Sequence, residues 1–250
     1  MSKLLHHIFL ILGVWFLSSG TTFAAGFVTL PTTSGASVNC VPPGSPVGTN
    51  NCQVTVLVQP GYTQVMEEIG SYAYCNPLGG PCTGPELGTF TKRLWRQGST
   101  FNFILGIRFT PNTNIFNATG KSMEINSIRW FPLSPGANNA FAFFKAGPGD
   151  ENIFSVSRTG YQSDYVDPPG TFIIHVPVTE VAATRWLNFK TDANANDPDG
   201  TSRSSPWILI KCVGDSTTLG TTRYVNGDFA QLGQEGQTPY RFGFTNFACN

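Results

Sequence analysis

The chain has 250 residues, with 15 basic and 15 acidic side chains for a formal net charge of zero, and only 12% of it is charged. A nucleic-acid partner demands a basic face for its phosphates, and the single basic cluster, KRLWR at 92–96, is too small to make one. The length suffices for one sizeable core, and a surface built from Asn, Thr, Ser and Gln rather than charge suits an exported protein.

Residues 1–24, MSKLLHHIFLILGVWFLSSGTTFA, read as a signal peptide: Lys3 precedes a mostly apolar run from Leu4 to Leu17, and Thr22 and Ala24 stand three and one residues before the expected cut. That run is about 14 residues, short of the roughly 20 that span a bilayer as a helix. No later segment is apolar for long enough to do so. The expectation is a chain that is secreted, periplasmic or at the cell surface, with no transmembrane span after cleavage.

All six cysteines, Cys40, Cys52, Cys75, Cys82, Cys212 and Cys249, follow the signal. An even number in an exported chain argues for disulfides. Closeness in sequence favours Cys40–Cys52 and Cys75–Cys82, which leaves Cys212 and Cys249 to tie the last strands together. Structural zinc needs four ligands on compact spacers, and Cys75-x6-Cys82 is too loose for that pattern.

Residues 25–52 form an irregular segment rich in Pro and Gly, and VPPGSPVGTNN between two cysteines reads as a loop. QVTVLVQ at 53–59 alternates and predicts a strand. GYTQVMEEIGSYAYC follows, where Val65, Met66 and Ile69 line up as one face of a short helix, and CNPLGGPC reads as a closed turn. From residue 89 strand signals repeat: TFTKRLW, STFNFILGIRF, KSMEINSIRWF, NAFAFFK, NIFSVSR, TFIIHVPV, RWLNFK, PWILIKCV and PYRFGFTNFAC. A sustained 3.6-residue period is absent. The predicted fold is all-β: one antiparallel sandwich domain over 25–250, jelly-roll-like or related, stabilised by disulfides. An immunoglobulin arrangement is disfavoured because no cysteine lies between 82 and 212.

The most polar short stretch is DANANDPDG at 192–200. Oxygen ligands at alternating positions followed by glycine suit calcium, which takes six to eight oxygens. A helix-loop-helix calcium site is excluded, since Asp197 stands where its glycine belongs and Arg203 where its closing acid belongs. A looser β-loop site of Asp192, Asn194, Asn196 and Asp199 remains, beside the alternative that these ordinary turn formers make only a turn.

Catalytic chemistry finds little support. His175 is the one imidazole beyond the signal, and alternation sets it opposite the apolar face of Phe172, Ile174, Val176 and Val178. Gly214-Asp215-Ser216 is followed by Thr217 and Thr218, not by the glycines that a trypsin-like nucleophile needs. Glycoside hydrolysis needs only two carboxylates; Glu67, Glu68, Glu124, Asp164 and Glu180 are available, with nothing in the sequence to pair them. Trp95 and Trp186, each beside an arginine, are candidate sugar-stacking residues, although Trp fills cores as readily. The expected function is therefore non-enzymatic adhesion or extracellular assembly, through a protein or glycan surface partner or through self-assembly by strand addition. A lectin-like carbohydrate-binding module is the first alternative and a glycosidase-type hydrolase the second.

Overall fold

The computed structural model describes residues 26–40, 51–73, 86–113, 115–116, 121–122, 124–130, 139–159, 186–195, 204–213, 224–230 and 242–247. Among them every regular element is a strand. In chain order these are β1 (Val28–Thr29), β2 (Ser37–Asn39), β3 (Tyr62–Ala73), β4 (Glu86–Gln97), β5 (Asn102–Pro111), β6 (Ile115–Phe116), β7 (Lys121–Ser122), β8 (Glu124–Trp130), β9 (Ala140–Phe144), β10 (Ser155–Thr159), β11 (Trp186–Asn194), β12 (Trp207–Val213), β13 (Tyr224–Ala230) and β14 (Phe242–Phe247).

Two six-stranded sheets form the sandwich. The first runs β1-β9-β12-β5-β4-β3 and the second β14-β13-β8-β11-β10-β2, with β6-β7 as a separate pair. All strand pairs are antiparallel. Period-2 alternation sends Phe103, Leu105, Ile107 and Phe109 of β5, and Ile208 and Ile210 of β12, toward the second sheet. There they meet Ile125, Ile128, Val156, Leu187 and Phe189 in one buried cluster. Phe141 of β9 and Phe189 of β11 join the layers edge to face, with ring centroids 5.5 Å apart.

The opposite face of the first sheet is apolar too. Trp95, Ile104, Ala140, Ala142, Trp207 and Leu209 are buried there with Phe27, Val54 and Tyr62. Close packing on that face depends on Gly106, where a Cβ would stand 2.6 Å from the Trp95 ring.

Two sequence expectations give way. QVTVLVQ is not a strand: only Gln53 bridges Phe143, and the chain then crosses over the outer face of the first sheet instead of pairing in it. Its alternation is real, with Val54 buried and Val56 and Val58 exposed, but it reports a segment lying on a sheet. Residues 62–73 are strand β3, not a helix. The period there was hidden by a bulge at Val65 and by Glu68 and Gly70, which take the inward positions opposite Lys92 and Phe90. A Cβ on Gly70 would stand 2.5 Å from the Phe90 ring, so the aromatic fills the inward space that glycine leaves.

Cys40 and Cys52 form the expected disulfide, both fully buried, with Cα atoms 5.2 Å apart. The Cys40 N–H donates to Phe154 O beside β10, while Cys52 O accepts from Phe143 N–H in β9. The bond therefore staples one sheet to the other. Cys212 is also disulfide-bonded; Cys75, Cys82 and Cys249 lie outside the described residues, as do the signal segment and His175.

Replacing Cys40 and Cys52 together by Ala should lower stability by about 3 kcal/mol, the chain-entropy value for a loop of this size. Gly106→Ala should lower it by about 1–3 kcal/mol through overpacking against Trp95. Urea unfolding of each variant measures both.

Candidate functional site

The aromatic candidates part company. Trp95 lies near the end of β4, pointing to the outer face of the first sheet, and is only 1% exposed. It does not offer an open stacking surface: Trp207 sits edge-on to it with centroids 6.0 Å apart, Gly106 lies beneath, and residues 54–62 cover the cluster. Arg93, next but one along β4, lies over the Trp207 ring at 4.9 Å, and Lys211 over the Tyr62 ring at 5.9 Å. Trp207 and Tyr62 were not among the candidates, though the unbroken apolar run WILI in β12 signals a strand buried on both faces. Trp186 opens β11, opposite Thr159 of β10, on the other sheet.

The acidic stretch is also divided. β11 continues through Asn194, so Asp192 and Asn194 are strand residues and not loop residues, flanking the buried core position Ala193. Asn196 and Asp199 lie outside the described residues. The register brings β8 alongside: Asn194 faces Glu124, and the Asn126 amide nitrogen donates both to Glu124 and, at 3.3 Å, to Asp192. Glu124 and Asn126 were not read as neighbours of Asp192, because a bulge in β11 between Lys190 and Ala193 sets that register. Among the described residues no group of three or more His, Cys, Asp or Glu is placed to hold a metal.

Two of the five carboxylates considered for hydrolysis are held in ion pairs. Glu67 pairs with Arg93, and Glu68 with Lys92 at 2.7 Å. Lys92 projects inward from β4 with its side chain 2% exposed, while Glu68 stands at the sheet edge, 39% exposed. Burial pushes the Lys92 ammonium below its usual 10.5, against the opposing pull of Glu68. Lys190 on the second sheet is likewise lowered, by burial and then by the nearby Arg129 charge. Burial raises the Tyr62 phenol above 10.0. Glu124 is buried, and Asp164 and Glu180 lie outside the described residues.

Among the described residues no helix is long and apolar enough to cross a membrane. Comparison with known families, with curated proteins and with solved structures finds no match to this chain.

Two predictions come from the ion pair. Lys92→Met should keep or raise stability, because apolar replacement of a buried charge removes its desolvation cost while Glu68 remains hydrated. Glu68→Ala should cost about 1–2 kcal/mol, because it removes the carboxylate facing a buried ammonium but that carboxylate is itself partly hydrated. In pH, a lysine with a lowered folded pKa leaves the unfolded chain holding more protons. Stability should therefore rise with pH between that lowered value and 10.5. Above 10.0 the raised Tyr62 opposes that rise, since the unfolded chain then loses its phenolic proton first. Thermal midpoints across the alkaline range should show the rise flattened in Lys92→Met.

Proposed function

We propose that this is a secreted or surface-exposed, non-enzymatic protein that acts in adhesion or extracellular assembly, by accepting a β-strand along the edge of its first sheet. The observation that carries this reading is β3. It spans 12 residues and no strand lies beyond it among the described residues. The edges formed by β1 and β2 are 2 and 3 residues long. Val65 and Ile69 on β3 are 53% and 67% exposed. A long edge with unpaired N–H and C=O groups is a template for another strand, and backbone pairing with side-chain pockets is a known mode of recognition.

Charge does not block that edge. Glu67 and Glu68 are neutralised within the chain by Arg93 and Lys92, and the zero net charge gives two copies no long-range repulsion. The signal-like residues 1–24 and the paired cysteines support an extracellular setting.

Sedimentation velocity over micromolar to millimolar concentrations tests the self-assembly form of this reading. The protein is expected to form concentration-dependent assemblies, and the double variant Val65→Lys, Ile69→Lys is expected to stay monomeric with an unchanged unfolding midpoint. Assemblies that persist in the double variant would exclude β3 as the contact.

A further inference from the structure

Residues 55–61, TVLVQPG, are held unlike anything around them. The Val54 N–H donates to Phe143 O at 2.9 Å, and this is the last backbone bond to the sheet before the chain re-enters it at Tyr62. Among the described residues no backbone hydrogen bond joins residues 55–58 to a strand, and Gln59 accepts one only from Tyr62, where β3 begins. The segment is tied to itself: Gln59 Nε2 donates to Val56 O at 2.7 Å, and the Tyr62 N–H to Gln59 O at 3.1 Å. The turn passes through Gly61 at φ +80°, a conformation that glycine supplies at no steric cost. Side chains press it down, Leu57 half-buried against the outer aromatic cluster and Gln59 buried, while Val56 and Val58 face solvent. A segment with few hydrogen bonds to its support opens locally at far lower cost than the whole fold.

Two polar groups lie beneath it without partners. Trp95 Nε1 and Tyr62 Oη are buried and find no hydrogen-bond partner among the described residues, although these residues are 1% and 8% exposed. Buried indole N–H and phenol O–H groups ordinarily have partners, and leaving them unmet is costly. Around them stand the Trp207 ring with Arg93 over it and the Tyr62 ring with Lys211 over it. Indole and phenol rings offer apolar faces to the C–H face of a pyranose. The unmet donors and the two cations offer hydrogen bonds to its hydroxyls. Apolar and aromatic lining with a few convergent polar groups is the usual make-up of a small-molecule site.

We propose that residues 55–61 form a cover that lifts as a unit from Trp95, Trp207 and Tyr62 to admit a sugar ring. This stands independently of strand addition at β3. It also retains Trp95 as a sugar-binding residue, but one that is reached only when the cover opens.

The test is hydrogen exchange of the Trp95 indole N–H, followed by NMR in the full protein with and without chitohexaose, cellohexaose or maltohexaose. A local opening gives exchange that is insensitive to low denaturant, and at least one oligosaccharide should slow it. Leu57→Ala, which removes the main anchor of the cover without touching the floor, should speed that exchange about tenfold. It should tighten the oligosaccharide by the same factor, because apparent affinity scales with the open fraction. Exchange only through global unfolding, in wild type and variant alike, would overturn the cover. Local exchange that none of the three oligosaccharides slows would mean that water alone satisfies the two groups, which overturns the site.

Discussion

The first sheet is apolar on both faces, and that constraint organises the molecule. Trp207, Ile208, Leu209 and Ile210 are consecutive and all buried, as are Phe103, Ile104 and Leu105. Alternation sends half of each run to either side, so one covering layer cannot hide them. The second sheet covers one face. The other is covered by a crossing segment with no pairing of its own, which is the least chain that can remove those rings from water. Apolar burial contributes about 25 cal/mol per Å², enough to keep such a segment seated without a hydrogen-bond ladder. The Cys40–Cys52 bond sits where both solutions begin: it staples the sheets and fixes the point from which the crossing segment departs.

Charge is placed with the same economy. With only 12% of residues charged, the few cations inside the fold do specific work. Lys92 extends along the inter-sheet core, passes 5.0 Å from the centre of the Phe90 ring and ends on Glu68 at the edge. Arg108 pairs with the buried Asp150, whose other oxygen accepts the Ala146 N–H at 2.7 Å and pins the turn after β9. In both places a buried charge meets an opposite one, as burial favours. The same pairing leaves the acidic residues of β3 already satisfied, which is why that edge is open to another strand without a like-charge penalty.

Much of this was legible in the sequence, and the exceptions have physical causes. β4, β5, β8, β9, β10, β11, β12 and β14 fall on stretches rich in aromatic and β-branched residues, because those residues fit a pleated, half-buried surface. Cys40–Cys52 followed from proximity. What failed was inference from alternation alone. Residues 53–59 alternate because they lie on a sheet, and alternation does not distinguish lying on a sheet from pairing within it. Residues 62–73 pair within a sheet but do not alternate cleanly, because a bulge, an inward glutamate and an inward glycine interrupt the period. The neighbours of Asp192 were invisible for a related reason, since cross-strand partners depend on register and register depends on a bulge no local pattern announces. Trp95 was identifiable as an important ring, but its burial is decided by Tyr62, Leu57 and Gly106, all distant in sequence.

The cover and the edge strand are one continuous piece of chain. Tyr62 closes the turn that ends the cover, packs in the outer aromatic cluster and is the first residue of β3, paired with Gln97. Tyr62 forms part of the floor beneath residues 55–61, and a strand that pairs along the whole of β3 would run beside it. The two proposed events therefore share a residue, and any coupling between them is reciprocal. The segment from Cys52 to Ala73 is anchored at one end by a disulfide and at the other by pairing to β4, so both proposed contacts fall on one continuous length of chain.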